Sequence, residues 1–292
     1  MASGAAKRKL VVCGGNGFLG SRICKSAVAH GWDVTSISRS GEPSWSAVTS
    51  SPNAPAWSRS VTWEKADILK PTSYKPLLKG ADAVVHTMGI LLEADYKGVL
   101  QGKEPIWSGL QRAFSASKAG SQNPLERKEG EDLRPKEKNG QLTYELMNRD
   151  SAITLAQEAS HENVPTFLYI SAAAGAPILP ARYIKTKRDA ESAITSAFPN
   201  MRSIFVRPGF LYDSSRGLTM PLAALTGMGA IANSLVGGHL TWLMGAGGVK
   251  PLKADLVADA AVEAIGDNTV RGPVEVPKIE ELAHKAWRRT ML

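Results

Sequence analysis

Leu10-Val11-Val12-Cys13-Gly14-Gly15-Asn16-Gly17-Phe18-Leu19-Gly20 is the stretch that decides the fold. An apolar run of strand type meets a glycine turn, and a helix-like segment follows directly. Glycines 14, 17 and 20 set a G-x-x-G-x-x-G spacing across that junction. The first permits a tight turn, the second lets backbone approach a pyrophosphate, and the third lets the helix pack on the strand. The helix then aims its N-terminal N–H groups at the anion. An ordinary βα turn is the bland alternative, but here strand and helix stand on the required sides. The stretch therefore reads as dinucleotide-binding, with Gly14, Asn16, Gly17, Phe18, Leu19 and Gly20 against the cofactor.

The second strand, read over 32–38, ends in Ser38-Arg39-Ser40-Gly41. A site for NAD would place a carboxylate there, on the ribose hydroxyls. Arg39 is instead a fork-shaped cation suited to a 2′-phosphate, unless it is a solvated surface arginine. Arg22, at the start of the first helix, is expected to add charge near the same phosphate. The expected cofactor is NADP(H).

A chain of 292 residues, 43% of them hydrophobic, can bury a full α/β core with a modest extra lobe. Its net charge of +8 suits an anionic cofactor, an acidic partner or an anionic membrane surface. Lysines and arginines are dispersed and no nucleic-acid-binding pattern occurs, so no nucleic acid partner is expected. The two cysteines, Cys13 and Cys24, read as small buried hydrophobes, which leaves no metal site and implies a reducing compartment. Only Met1 to Ala6 and the basic Lys7-Arg8-Lys9 precede the first strand. That is too short for a secretory signal or a typical transit peptide: either no removable leader directs the protein, or one precedes this stretch. No apolar run reaches the length of a membrane span.

Strands are expected at 9–13, 32–38, 61–66, 82–87, 165–171 and 202–207, and helices at 18–30, 72–79, 141–160, 181–198 and 255–266. Their alternation predicts an α/β, doubly wound parallel sheet of Rossmann type. The dinucleotide-binding core is placed at 7–210. A small C-terminal substrate lobe, substrate- or membrane-facing and partly returning to the core, is placed at 211–292. Residues 41–60 are expected as a loop, and 97–140 as an irregular stretch whose charged run, Glu126 to Lys138, is solvated.

Phe167-Leu168-Tyr169-Ile170-Ser171 reads as a strand ending in a serine, and Tyr183-Ile184-Lys185-Thr186-Lys187 opens a helix twelve residues on. The i, i+4 spacing puts the phenol and Lys187 on one helix face. An ammonium that close, with the nicotinamide's charge, is expected to lower the phenol pKa so that Tyr183 exchanges a proton near neutrality. Ser171 would hydrogen-bond the substrate carbonyl, and Lys187 would also hold the nicotinamide ribose. The bland alternative is a surface pair on a helix. His86, ending the fourth strand, reads as structural rather than catalytic.

The glycine spacing and the later Y-x-x-x-K resemble the short-chain dehydrogenase/reductase superfamily, including its extended and atypical branches. That resemblance implies an adenine-facing Asp67 with Ile68 at the end of the third strand. It implies cofactor-lining backbone at Met88 and Gly89, and a turn at Arg207-Pro208-Gly209-Phe210 passing over the nicotinamide. Lys253-Ala254-Asp255 resembles the helix start that follows the substrate lobe, with Asp255 expected as a structural N-cap.

Further blocks narrow the resemblance: Val11–Cys24, Ser36–Gly41, Val85–Glu93, Thr143–Asn148, Tyr169–Ala172 and Tyr183–Glu191. They resemble a fungal mitochondrial branch of the coenzyme Q biosynthetic complex, related to the Rossmann-type accessory subunit of respiratory complex I. The branch implies a peripheral protein on the matrix side of the inner membrane, acting with other coenzyme Q biosynthesis proteins.

Residues 217–249 contain no Asp, Glu, Lys or Arg and eight glycines. They read equally as buried core or as a greasy surface for a quinone-type ligand or for lipid. Two functions of different class follow. One is an NADPH-dependent oxidoreductase on a hydrophobic quinone or aromatic precursor, with Tyr183 as proton donor. The other is a cofactor-binding subunit that stabilises or regulates the complex without turnover. A nucleotide-sugar epimerase fits less well, because 217–249 offers no charge to grip a diphosphate.

Overall fold

The computed structural model describes residues 7–49, 51–90, 124–128, 130–135, 142–173, 181–213 and 250–291. In order the chain runs β1 (Lys9–Cys13), α1 (Phe18–Ala29), β2 (Asp33–Ser38), α2 (Trp45–Val48), β3 (Val61–Lys65), α3 (Pro71–Leu78) and β4 (Ala83–His86). It continues with α4 (Ser151–His161), β5 (Thr166–Ile170), α5 (Ala181–Ala197), β6 (Arg202–Val206), β7 (Leu211–Tyr212) and β8 (Leu252–Lys253). It closes with α6 (Ala254–Gly266), β9 (Gly272–Val274) and α7 (Val276–Thr290).

Side chains alternate across a strand. Leu10 and Val12 of β1 therefore enter one apolar cluster, and Val11 and Cys13 the other. The same split divides Val85 from Val84, Leu168 from Phe167 and Ile204 from Phe205. A parallel sheet needs helices on both faces, which is why these strands are unbroken apolar runs. Ile23 of α1, Val257 of α6 and Leu282 of α7 pack on the first face; Tyr74 of α3, Leu155 of α4 and Ile194 of α5 pack on the second.

Seven strands pair in parallel in the order β3-β2-β1-β4-β5-β6-β9. This is the expected doubly wound arrangement. The order reverses between β1 and β4, so a crevice opens beyond the carboxyl ends of those two strands. The crevice floor is the glycine turn itself.

The structure departs from the sequence expectations at five places. The 41–60 stretch holds α2 and a 3₁₀ turn at Ala56–Ser60, because Trp45, Trp57 and Trp63 pack with ring centres 5.5–6.4 Å apart. Within the charged run, Leu133 is buried and its N–H reaches the Leu69 carbonyl at 2.7 Å, so this part of the run packs rather than floats. The helix expected at 141–160 starts with a π turn, Glu145–Asp150, before α4. Asp255 is not the N-cap. It lies one residue inside α6, after Lys253 and Ala254, and pairs with Arg22 at 3.7 Å and Lys25 at 4.0 Å. Finally, β9 and α7 escape the sequence reading, since Gly272-Pro273-Val274 carries no strand pattern of its own. Residues 217–249 lie outside the described residues.

Candidate functional site

The glycine turn is tight for steric reasons that can be stated atom by atom. Gly14 holds φ at +89°, a conformation that L side chains rarely adopt, and a Cβ there would lie 2.6 Å from Thr87 Oγ1 and 2.8 Å from Met88 Cγ. A Cβ on Gly20 would strike the Gly14 carbonyl and lie 2.9 Å from the Gly15 Cα. Gly17 N–H donates to the Gly14 carbonyl at 2.9 Å, and Gly17 then serves as N-cap of α1. No side chain caps α1 and no acid stands in its first turn, which leaves its start suited to an anion. The Leu19 side chain is buried in the core.

Arg39 is exposed and lines an open cleft of about 390 Å³ with Asn16, Ser38, Ser40 and Met88. The Asn16 side-chain amide donates to Ser40 Oγ at 2.7 Å, and Ser38 Oγ donates to the Gly41 carbonyl at 2.8 Å. Among the described residues no carboxylate pairs with Arg39. A guanidinium that no described carboxylate pairs with, at the lip of a cleft, is open to an anion.

Arg22 does not join it. Its guanidinium pairs with Asp213 at 2.8 Å, donates to the Phe18 carbonyl at 2.7 Å and stacks over the Phe18 ring. The expectation of a second phosphate cation is corrected: burial against a carboxylate neutralises Arg22. Asp67 accepts the Leu69 N–H at 3.1 Å, and the Ile68 side chain belongs to the core. The Pro208 carbonyl accepts Ala173 N–H and the Phe210 carbonyl accepts Leu252 N–H, both at 2.9 Å; Gly209 between them is half-buried.

Tyr183 and Lys187 both stand on α5. Lys187 is buried, its Nζ donating to the Ile170 carbonyl at 3.0 Å and to Tyr169 Oη at 3.3 Å. A Cβ on Gly89 would sit 3.7 Å from that Nζ, so the end of β4 and the lysine line the same space. Lys187 Nζ lies 5.7 Å from the centre of the Tyr183 ring. Burial drives the Lys187 pKa down to about 7, against the attraction of Glu191. Burial pushes the Tyr183 phenol up to about 12. This corrects the expected lowering: desolvation outweighs an ammonium that is itself close to neutral. The phenol therefore keeps its proton at neutral pH, the form a proton donor needs.

Ser171 is turned away from such a role. Its hydroxyl donates to Glu191 Oε1 at 2.5 Å and accepts from Arg188 Nη1 at 3.0 Å. Glu191 is buried and also receives Arg188 at 2.7 Å and Arg207, whose Nη1 continues to Glu275 at 2.6 Å. Arg188 further binds the Ala172 and Ala173 carbonyls, at 2.7 and 3.1 Å. A hydroxyl has one proton to donate, and Ser171 gives it to a carboxylate rather than to a substrate carbonyl.

Several contributors were not legible as such. Asn148, in the π turn, accepts the Ile90 N–H on its side chain at 3.0 Å and the Tyr169 hydroxyl on its carbonyl at 2.6 Å. A π turn leaves helix carbonyls free for such use. Tyr144 stacks edge-on with Tyr183, ring centres 5.8 Å apart. Glu191 did leave a signal: it continues the Tyr183–Lys187 spacing by another four residues. His86 is fully buried. It bonds Ser151 Oγ at 2.9 Å, and burial and Lys187 push its pKa down to about 3. Among the described residues no His, Cys, Asp and Glu cluster could hold a metal.

The profile of the NAD dependent epimerase/dehydratase family matches residues 10–95. MIOREX complex component 2 of Saccharomyces cerevisiae is 42% identical over 226 residues, covering 73% of this chain and 76% of the yeast protein. An uncharacterized chloroplastic protein of Arabidopsis thaliana is 28% identical over 219 residues, covering 73% of this chain and 55% of the relative. The chain thus spans little more than half of that plant protein. Among solved structures, the UDP-Glc/GlcNAc 4-epimerase of Campylobacter jejuni superposes with a TM-score of 0.53 at 13% identity, over 98% of this chain and 84% of that one. That likeness concerns the fold.

Proposed function

The chain belongs to the extended short-chain dehydrogenases/reductases, the NAD dependent epimerase/dehydratase family, and from that membership we propose an NADP(H)-dependent oxidoreductase of coenzyme Q biosynthesis. Its substrate is a hydrophobic quinone-type or aromatic precursor. It works on the matrix side of the mitochondrial inner membrane, as a peripheral protein among other coenzyme Q biosynthesis proteins. The 42% identity to a yeast protein named for a complex supports a life among protein partners.

One observation carries the reading: Tyr183 and Lys187 share a face of α5, Gly89 lies beside Lys187, and Met88, the residue before it, lines the cleft of the exposed Arg39. The bound dinucleotide would supply hydride. Gly14, Gly17 and Gly20 would hold its pyrophosphate, Arg39 its 2′-phosphate and Lys187 its nicotinamide ribose. Tyr183 would donate the proton to the substrate oxygen, and the desolvated surroundings that raise its pKa keep that proton in place until it is needed.

A second reading is a cofactor-binding subunit without turnover, and the Ser171–Glu191 bond favours it by removing one substrate donor. A strain deleted for the gene, scored by coenzyme Q content, separates the two. Tyr183→Phe and Lys187→Met should fail to restore coenzyme Q if the protein turns over. Full restoration by both, with failure of Gly17→Trp, would leave the subunit reading standing.

A further inference from the structure

Two neighbours on α5 hold the same strand end. Lys187 Nζ donates to the Ile170 carbonyl at 3.0 Å, and Arg188 Nη2 donates to the Ala172 and Ala173 carbonyls at 2.7 and 3.1 Å. Arg188 Nη1 also donates to Ser171 Oγ at 3.0 Å. The end of β5, from Ile170 to Ala173, is thus gripped from one turn of one helix. A guanidinium can span such acceptors because its donors form a rigid planar fork, whereas an ammonium is a single point.

The fork is itself oriented. Buried Glu191, one turn further along α5, receives Arg188 Nη1 at 2.7 Å and Arg207 Nε at 3.1 Å. Arg207 directly follows β6, and the next residue, Pro208, accepts the Ala173 N–H on its carbonyl at 2.9 Å. One carboxylate therefore holds both the guanidinium on the end of β5 and the turn beside it.

We infer that Arg188 is a positioning residue for Lys187, and Glu191 for Arg188: together they fix the Ile170 carbonyl on which the Lys187 ammonium rests. This rests on the reading in which Lys187 holds the nicotinamide ribose, and adds two residues to that site. Burial lowers the Lys187 pKa to about 7, so its charged and neutral forms are nearly equal in free energy at neutral pH. The placing of one acceptor then decides which form prevails, since hydrogen bonds to charged groups are the strong ones. Among the described residues, the other titratable groups facing Lys187 are His86 of β4, Tyr169 of β5, and Tyr183, Arg188 and Glu191 of α5. Burial holds His86 neutral, with a pKa of about 3, and raises both phenols, so neither ring type changes charge near pH 7.

Position and charge are separable here. Arg188 repels the Lys187 ammonium and Glu191 attracts it. Arg188→Lys and Glu191→Asp keep both charges and change geometry alone: lysine has no fork, and aspartate is one methylene shorter. Carbon NMR of the lysine Cε atoms, with the Lys187 signal assigned by its loss in Lys187→Met, reads ionisation directly and needs no turnover. The unmutated chain should titrate near pH 7. Arg188→Lys should lower the proton affinity of Lys187 about tenfold, the factor for one lost hydrogen bond to a charged group. Glu191→Asp should move it the same way by less. Arg202→Lys is the control, because Arg202 grips the Ala264, Ile265, Asp267 and Val270 carbonyls where α6 ends. It should lower the melting temperature and leave the Lys187 titration in place.

An unmoved titration in either folded charge-conserving variant, or an equal shift in Arg202→Lys, overturns the inference. So does a Lys187 that titrates near its ordinary 10.5 in the unmutated chain. NADPH titration of the same chains probes the underlying reading separately. A shifted Lys187 with unchanged NADPH affinity at neutral pH supports the positioning and removes Lys187 from the ribose. An unshifted Lys187 in an Arg188→Lys chain that fails to restore coenzyme Q overturns the positioning and leaves the oxidoreductase reading standing.

Discussion

Ser171 Oγ donates its proton to Glu191 Oε1 across 2.5 Å, and the same carboxylate is gripped by Arg188 and Arg207. A serine at the end of β5, the position from which a hydroxyl would reach a substrate, is thereby part of a buried ion network. The network joins β5, α5 and β6, and through Arg207 it reaches Glu275 just before α7.

Ser171→Ala is expected to act on stability rather than on the proton transfer. Removing a donor from a buried carboxylate costs about 1–3 kcal/mol, read as a lower urea midpoint at unchanged slope. Glu191→Ala removes the carboxylate that Arg188 pairs with and leaves Arg207 with Glu275 alone, and should cost more, about 3–5 kcal/mol. A Ser171→Ala chain with native stability and lost coenzyme Q would return the serine to the substrate.

Lys187 gives a pH signature. Its pKa falls from the ordinary 10.5 to about 7 in the folded chain. Between those values the unfolded chain holds a proton that the folded chain lacks, so this group's contribution to stability rises with pH across the window. Below pH 7 both states are charged and the burial penalty is felt in full. Lys187→Met should therefore raise the melting temperature at pH 6, with the gain shrinking toward pH 10. A gain that grows with pH would refute the assignment.

Arg39→Ala should erase a preference for NADPH over NADH. One charge-assisted contact with phosphate is worth about 1.5–3 kcal/mol, roughly ten- to a hundredfold in affinity. Calorimetric titration of both cofactors against both chains reads it directly, and equal affinities in the unmutated chain would remove the NADP(H) assignment.

Gly20→Ala should cost stability and cofactor binding together. The added methyl meets the Gly14 carbonyl with no flexible neighbour to yield, and overpacking of this kind costs about 1–3 kcal/mol. Gly31→Ala makes a useful comparison: its surroundings are open, and its positive φ of 77° is the one source of strain.

Much of this protein was open to reading because its information is local. The strand and helix bounds from 9 to 38 depend on apolar runs and glycine spacing within a few residues, and the structure keeps them to within about one residue. The same holds for Tyr183 and Lys187, one turn apart on α5. β9 and α7 were not legible, because Gly272-Pro273-Val274 becomes a strand only through β6 beside it. The 41–60 stretch likewise took its order from three tryptophans that meet in space.

The sequence by itself determined the doubly wound core, the glycine turn at its switch point, the cation at Arg39 and the tyrosine–lysine pair. Each follows from spacing along one element, where geometry is set by the backbone. Only the tertiary structure decided what the polar groups face. Arg22 and Arg39 are both arginines near the turn, yet Asp213 takes one and none of the described carboxylates takes the other. Ser171 is a hydroxyl in the expected place, yet Glu191 and Arg188 claim it. Charge and protonation depend on neighbours brought from distant parts of the chain and on the water they exclude, and neither quantity is written in local order.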